Sequence, residues 1–320
     1  AEGNNKGGSS TGGDNAIYPH WNMEEGSSTT LRFLPDANTK NTFFWQERAM
    51  IRLPFAGIKG QMDSKQTIVQ VPCMEMWQET CPVLTEVRGW FKDKSLEDMG
   101  RKYWKKRSYI FQGFVRENPM TDEKTPENPI RRFIIGPQLF TLIKSALMDP
   151  ELEEMPTDLL RGLDFRITKT AKGGYADYNT SKWARKESAL TEQEQAAIET
   201  HSLWDLSTFL PKKPDDAAVK VIKEMFEASV DGAAYDTERW GNYFRPAGVS
   251  APAGSSDSTP APQAVFAAPA AAPVSAPKAA PVSDFDEDEP ATASAPVSVP
   301  ATKSPNAVDI LAQIRARQQK

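Results

Sequence analysis

Residues 247–303 limit what this chain can fold into: they are built from Ala, Pro and Ser, with almost no large apolar residue. Such a stretch cannot bury enough surface to offset the entropy of ordering it, so it reads as a disordered linker. Nearly all the aromatics and both cysteines lie before it, which confines the folded body to residues 16–246. Residues 1–15 are rich in Gly, Ser and Asn and read as a flexible N-terminal arm without the apolar core of a secretory signal. No apolar run approaches the roughly 18 residues a membrane helix needs. With 39% hydrophobic residues among 320, the body has enough material for a core. Two cysteines exclude a disulfide-dense scaffold and make a reducing cytosol the simplest compartment. The net charge of −5 excludes a bulk-basic nucleic-acid binder, so any such reading must rest on local patches.

Within the body, residues 29–34, 67–71, 108–115, 130–135 and 165–170 are β-branched or aromatic and bounded by Pro, Gly or Asn, as strands are. Apolar residues at helical spacing predict helices over 138–148 and 214–228, a Ser95 cap with Asp98 three residues on predicts one over 95–104, and a Thr191–Glu194 capping box opens one over 191–201. This mix predicts an α+β fold, mainly β: a small Greek-key barrel with an inserted subdomain around 45–100 and peripheral helices. Residues 304–320 predict a short C-terminal helix with Ala307, Ile310, Leu311 and Ile314 on one face. That helix would be marginal alone and suits docking onto a partner. Within the linker, Asp284, Asp286, Glu287, Asp288 and Glu289 form a compact acidic cluster around Phe285. The cluster and the apolar face of Ile310, Leu311 and Ile314 are the candidate partner-binding residues.

The most informative run is residues 101–114, RKYWKKRSYIFQGF, where cations and aromatics alternate into a strand. Alternate side chains share a face, so Lys105, Arg107, Tyr109 and Phe111 are expected to project together, with Lys106 adjacent. Phosphates need cations and unstacked bases need flat π-surfaces, so one face offering both suits single-stranded nucleic acid. Residues 101–132 hold nine Lys/Arg against four Asp/Glu, including Arg131 and Arg132 beside Phe133. An ordinary amphipathic strand with a solvated charged edge reads equally well from this run alone. A second run, residues 161–190, holds seven Lys/Arg against three Asp/Glu. There Gly173-Gly174 marks a turn followed by Tyr175, Tyr178, Lys182 and Trp183, expected to close over a ligand. The alternative is a hairpin whose tyrosines pack back onto the sheet.

The sequence lacks the phosphate-cradling GxxxxGK[ST], HExxH and GxSxG patterns, and no enzyme activity is expected. Cys73 and Cys81 supply two thiols where a structural zinc wants four ligands, and His20 and His201 are remote in sequence. They read as buried thiols, and no cofactor is expected.

The order of motifs resembles a known family. Thr-Leu-Arg-Phe-Leu-Pro (30–35) is followed by Cys73 to Cys81-Pro82-Val83 and by Lys-Lys-Arg-Ser-Tyr (105–109). An Arg-Phe strand leading into a helix (132–147) and Gly-Tyr-x-x-Tyr-x-x-Ser-Lys (174–182) come next. Over residues 17–185 the chain resembles the T-even-type phage single-stranded-DNA-binding, or helix-destabilising, proteins, nearest their marine cyanophage branch. The resemblance implies an OB-fold core with a zinc-bearing subdomain, self-association along DNA through a basic arm, and an acidic tail that recruits replication and recombination proteins. It implies base contacts by Tyr109, Tyr175 and Tyr178 and phosphate contacts by Lys105, Lys106 and Arg107. It also places the protein in the cytoplasm of an infected bacterial host. The sequence departs from the family's zinc set of one His and three Cys: Leu84 follows Val83, and no His precedes Cys73 at the expected distance. Cys73 and Cys81 are then remnants of a zinc site, and packing around Trp77 and Trp90 would hold the subdomain instead. The basic arm is missing, and the tail ends in Arg315, Arg317 and Lys320 rather than in acid. A single-stranded-RNA-binding protein and a scaffolding protein without nucleic acid remain open readings at this point.

Overall fold

The computed structural model describes residues 15–121, 123, 126–148, 155–247 and 249. The expectations for the N-terminal arm up to residue 14, the acidic cluster and the C-terminal helix lie outside these residues. The described chain is mixed α+β and mainly β. A seven-stranded antiparallel sheet runs in the order β3 (Thr67–Pro72), β2 (Gln46–Phe55), β4 (Lys106–Glu117), β1 (Ser28–Leu34), β6 (Leu163–Thr168), β9 (Lys182–Glu187). Strand β5 (Arg131–Ile135) pairs with β4, and β7 (Thr170–Lys172) and β8 (Tyr175–Asp177) form a separate two-stranded ribbon.

The body divides into two compact units rather than one, the first of residues 15–48 and 107–210, the second of 49–106 and 211–249. The second unit thus joins residues 49–106 to the C-terminal part of the body. In the first unit β1 is the central strand, buried on both faces from Thr29 to Leu34. Phe33 is its hub, with ring centroids of Phe44, Phe111, Phe133, Phe165 and Trp183 all between 4.8 and 6.0 Å away. Each such pair adds about 0.5–1.5 kcal/mol beyond the burial of its surface. Opposite Phe33 stands Gly113, and a Cβ there would lie 2.0 Å from the carbonyl oxygen of Arg32. Only glycine permits that close backbone approach. Helix α3 (Pro137–Leu147) starts on a proline, which costs nothing where the first amides are unpaired anyway, and buries Leu139 and Ile143. Helix α4 (Glu192–His201) carries the predicted capping box, with Glu194 N–H donating to the Thr191 hydroxyl and Thr191 N–H to the Glu194 carboxylate.

In the second unit, helices α1 (Pro82–Trp90), α2 (Glu97–Tyr103) and α5 (Asp216–Val230) surround an apolar cluster built on Ile51, Leu53, Phe55, Val69 and Val71. Asp215 caps α5 by accepting from Ala218 N–H, and Ile222, Met225 and Phe226 follow at helical spacing on its buried side. Trp90 stacks on Phe226 at 5.7 Å and Trp77 packs against the same cluster. A short helix, α6 (Thr237–Trp240), completes the unit. Among the described residues no helix is long and apolar enough to cross a membrane.

Candidate nucleic-acid interface

The cation-aromatic run enters β4 as expected, and Tyr109 and Phe111 do share a face, but that face is interior. Phe111 is wholly buried among Phe33, Phe44 and Trp45. Tyr109 is 5% exposed, its ring 3.4 Å from and nearly parallel to that of Phe140 on α3. Both residues are core in this structure, because α3 covers the side of β4 that alternation had marked as a common face. Lys105 is also buried and bonds to Glu75 at 3.1 Å. Arg107 is half-buried and paired with Glu47 at 3.4 Å, and Lys106 is half-buried. The two arginines of β5 are interior too. Arg131 is held by Glu123 and the Ile17 carbonyl, with its guanidinium over the Tyr18 ring. Arg132 lies 3.8 Å above the Phe209 ring and 5.6 Å from that of Trp204. Buried cations persist only when paired or stacked, and these positions satisfy that requirement internally.

The second run behaves differently. Lys172 pairs with Tyr175 across Gly173 (φ 62°) and Gly174 (φ 83°), the two-glycine turn of a tight hairpin. Tyr175 is 37% exposed. The base of the hairpin is fixed. Gln138, in the first turn of α3, donates to the Asp177 carboxylate at 2.6 Å and accepts from Tyr178 N–H at 3.1 Å. The Lys169 ammonium donates to the carbonyls of Trp21 and Met23, both at 2.8 Å. Tyr178 is half-buried, its ring edge-on to His20 at 5.9 Å, and burial raises its phenol pKa. Trp183 packs its ring on Phe165 at 5.0 Å. Thus Tyr175 stands at the surface while Tyr178 and Trp183 are packed partly back onto the sheet. Tyr178 and Trp183 thus follow the hairpin reading of this segment, while Tyr175 does not pack back in the same way.

Strand β9 is the sheet edge, and its pairing with β6 shifts register between Leu163 and Phe165. Beside it lies an open groove of about 340 Å³ lined by Thr30, Glu117, Asp164, Arg166 and residues 182–185. Its two carboxylates are already engaged: Glu117 by Arg166 at 3.2 Å, and Asp164 by Arg116 at 2.9 Å and Arg32 at 3.6 Å. Glu187 is likewise held by Arg161 at 3.0 Å. Lys172, Lys182, Arg185 and Lys186 are exposed, and among the described residues none of them has a carboxylate partner. Four exposed cations without a described carboxylate partner thus lie along one hairpin and its edge strand. The sequence had marked Lys182 as a contact; Lys172, Arg185 and Lys186 belong with it and were visible in the same run.

His20 is 4% exposed, and burial, with the nearby charge of Lys169, lowers its pKa to about 4. The unfolded chain takes up this proton near pH 6.5, so stability present above that pH falls as the solution is acidified toward pH 4. Between pH 7 and pH 5 the loss should be about 2 kcal/mol. His20→Phe keeps a ring and removes the proton site. Denaturant unfolding at the two pH values should show that difference shrinking in the variant, and an unchanged difference would refute the assignment.

Cys73 and Cys81 are buried and unbridged. The Cys73 thiol donates to the sulfur of Cys81, which also receives the amides of Leu84, Met74 and Val83. The shared hydrogen bond therefore lowers the Cys81 pKa, while that of Cys73 is raised by the same hydrogen bond and by burial. Among the described residues no three His, Cys, Asp or Glu side chains converge as metal ligands do, so the donors present do not fit a zinc ion. The apolar cluster around them supplies the packing of the second unit.

No protein-family model matches the sequence, and no curated protein matches it. The family resemblance therefore rests on the quoted motifs alone.

Proposed function

We propose that this chain binds single-stranded DNA without sequence preference, through the β7–β8 hairpin and strand β9 rather than through β4. One observation carries the reading: Lys172, Lys182, Arg185 and Lys186 are exposed and, among the described residues, without a carboxylate partner, beside the exposed ring of Tyr175. Cations without internal partners attract a phosphate backbone, and a surface ring offers a base a stacking partner that every base can use. Binding that consumes only unpaired strands draws a duplex toward separation by mass action. An OB-type Greek-key barrel for the first unit belongs to this proposal. Its support is the non-sequential neighbour order β4-β1-β6, and the hairpin lies in the connection between the paired strands β6 and β9. A role in phage replication, recombination and repair follows the motif resemblance and is proposed with it.

Tyr175→Ala should weaken oligo(dT) binding about tenfold, in keeping with roughly 1–3 kcal/mol per stacked base, and leave thermal stability unchanged. Fluorescence titration measures it, with an RNA oligomer of equal length in parallel. Unaltered affinity in the variant would remove Tyr175 from the site, and equal or tighter RNA binding would replace DNA as the ligand.

A further inference from the structure

Residues 36–45 form a loop held by its own side chains. The Asp36 carboxylate accepts from Asn38 N–H at 3.0 Å and from the Asn41 amide at 2.8 Å. Asn41 also donates to the Trp45 carbonyl at 3.0 Å and accepts from Phe43 N–H at 3.1 Å. This network fixes the backbone on both sides of Phe43, whose ring is nevertheless 57% exposed. An apolar ring held out in water by an ordered loop has already lost its conformational entropy before anything binds.

Behind it the rings form a ladder into the core: Phe43 to Trp45 at 4.8 Å, Trp45 to Phe140 at 5.3 Å, and Phe140 to Tyr109 at 3.4 Å. Lys40 in the same loop and Lys144, one turn beyond Phe140 on α3, are exposed and, among the described residues, without a carboxylate partner. Phe140 touches this ladder, and Gln138, two residues earlier on α3, anchors the hairpin. Phe43 and Tyr175, the exposed rings among the described residues of the first unit, are therefore both tied to the first turn of one helix. A protein partner would need on the order of 800 Å² of surface on this side. Phe43 offers a single exposed ring, backed by Trp45, which is the size of a base.

We propose that Phe43, backed by Trp45, is a second base-stacking station, occupied by an unpaired nucleobase of the strand that the hairpin holds. The assignment rests on the DNA-binding reading and extends it to a strand long enough to reach both rings.

The test compares oligo(dT) of about 4 and about 12 nucleotides, lengths that bracket common footprints of such folds. Phe43→Ala and Phe43→Leu should each lose about tenfold on the longer oligomer and keep the affinity of the shorter one. Phe43→Trp, which retains a flat ring, should bind both as the unaltered protein does. Equal affinity of Phe43→Leu and unaltered protein for the longer oligomer would overturn the station, as would equal losses at both lengths. A lowered melting temperature of Phe43→Ala would overturn it too, because the ring would then be structural. An unaltered protein that binds neither oligomer overturns the DNA-binding reading itself, so the two failures are distinguishable.

Discussion

Changing Lys172, Lys182, Arg185 and Lys186 together to Gln should reduce the dependence of log affinity on log salt by about 3 for single-stranded DNA. At about 50 mM salt, affinity should fall at least a hundredfold. The reasoning is arithmetic: each neutralised phosphate on a single strand releases counterions worth a slope of about 0.7, and four cations are removed. All four are exposed and take part in no ion pair with a described residue, so the melting temperature should not move. Arg161→Gln is the control. Its charge is balanced by Glu187, and it should leave the slope nearly intact. Titrations at several salt concentrations measure both variants. An unchanged slope in the fourfold variant would move the site elsewhere on the protein.

The second large effect concerns β4. Phe111→Ala should destabilise the protein by about 3–5 kcal/mol, the cost of a cavity where a large ring is wholly enclosed. Protein that remains folded should keep its salt slope, because Phe111 supports the sheet and touches no ligand. Denaturant unfolding followed by tryptophan fluorescence gives the first quantity, and oligomer titration of the folded fraction gives the second. Full stability combined with lost binding would show that the β4 face opens to accept bases and that Phe111 is a contact after all.

These two predictions mark where reading the residues succeeded and where it failed. The strands β1, β3, β4, β5 and β6 and the helices α2, α3, α4 and α5 all fall on segments that composition, boundary residues, capping signals or apolar spacing had marked. Strand β2 was missed although Ala49, Ile51, Leu53 and Phe55 alternate as buried residues. Glu47, Arg48, Arg52 and Pro54 interrupt the run and lower its apparent strand character. Helix α1 was missed because Pro82 follows Cys81 at a point that reads as a turn, while in the fold it is the first helical residue. For the site, alternation placed Tyr109 and Phe111 together correctly, but a single strand does not reveal which face a distant helix will cover. Nor does it show that Lys105, Arg131 and Arg132 would find Glu75, Glu123 and an aromatic pair within the fold. What separates a structural cation from a binding one is the presence of an internal partner, and that is a property of tertiary structure. The Gly173-Gly174 turn was legible because the requirement for positive φ is local. Phe43 opens a run of three aromatics at 43–45, and nothing local in that run shows which ring the fold leaves exposed.

The most direct measurement is quenching of intrinsic fluorescence on titrating the intact protein with oligo(dT) and with a duplex of the same length, at about 50 and about 200 mM salt. The expected result is saturable quenching by the single strand, with weaker binding to the duplex and affinity dropping by several tens of fold at the higher salt. A protein that shows no salt-dependent response to the single strand, or prefers the duplex, would contradict the assignment of the hairpin and β9 as a surface for unpaired DNA.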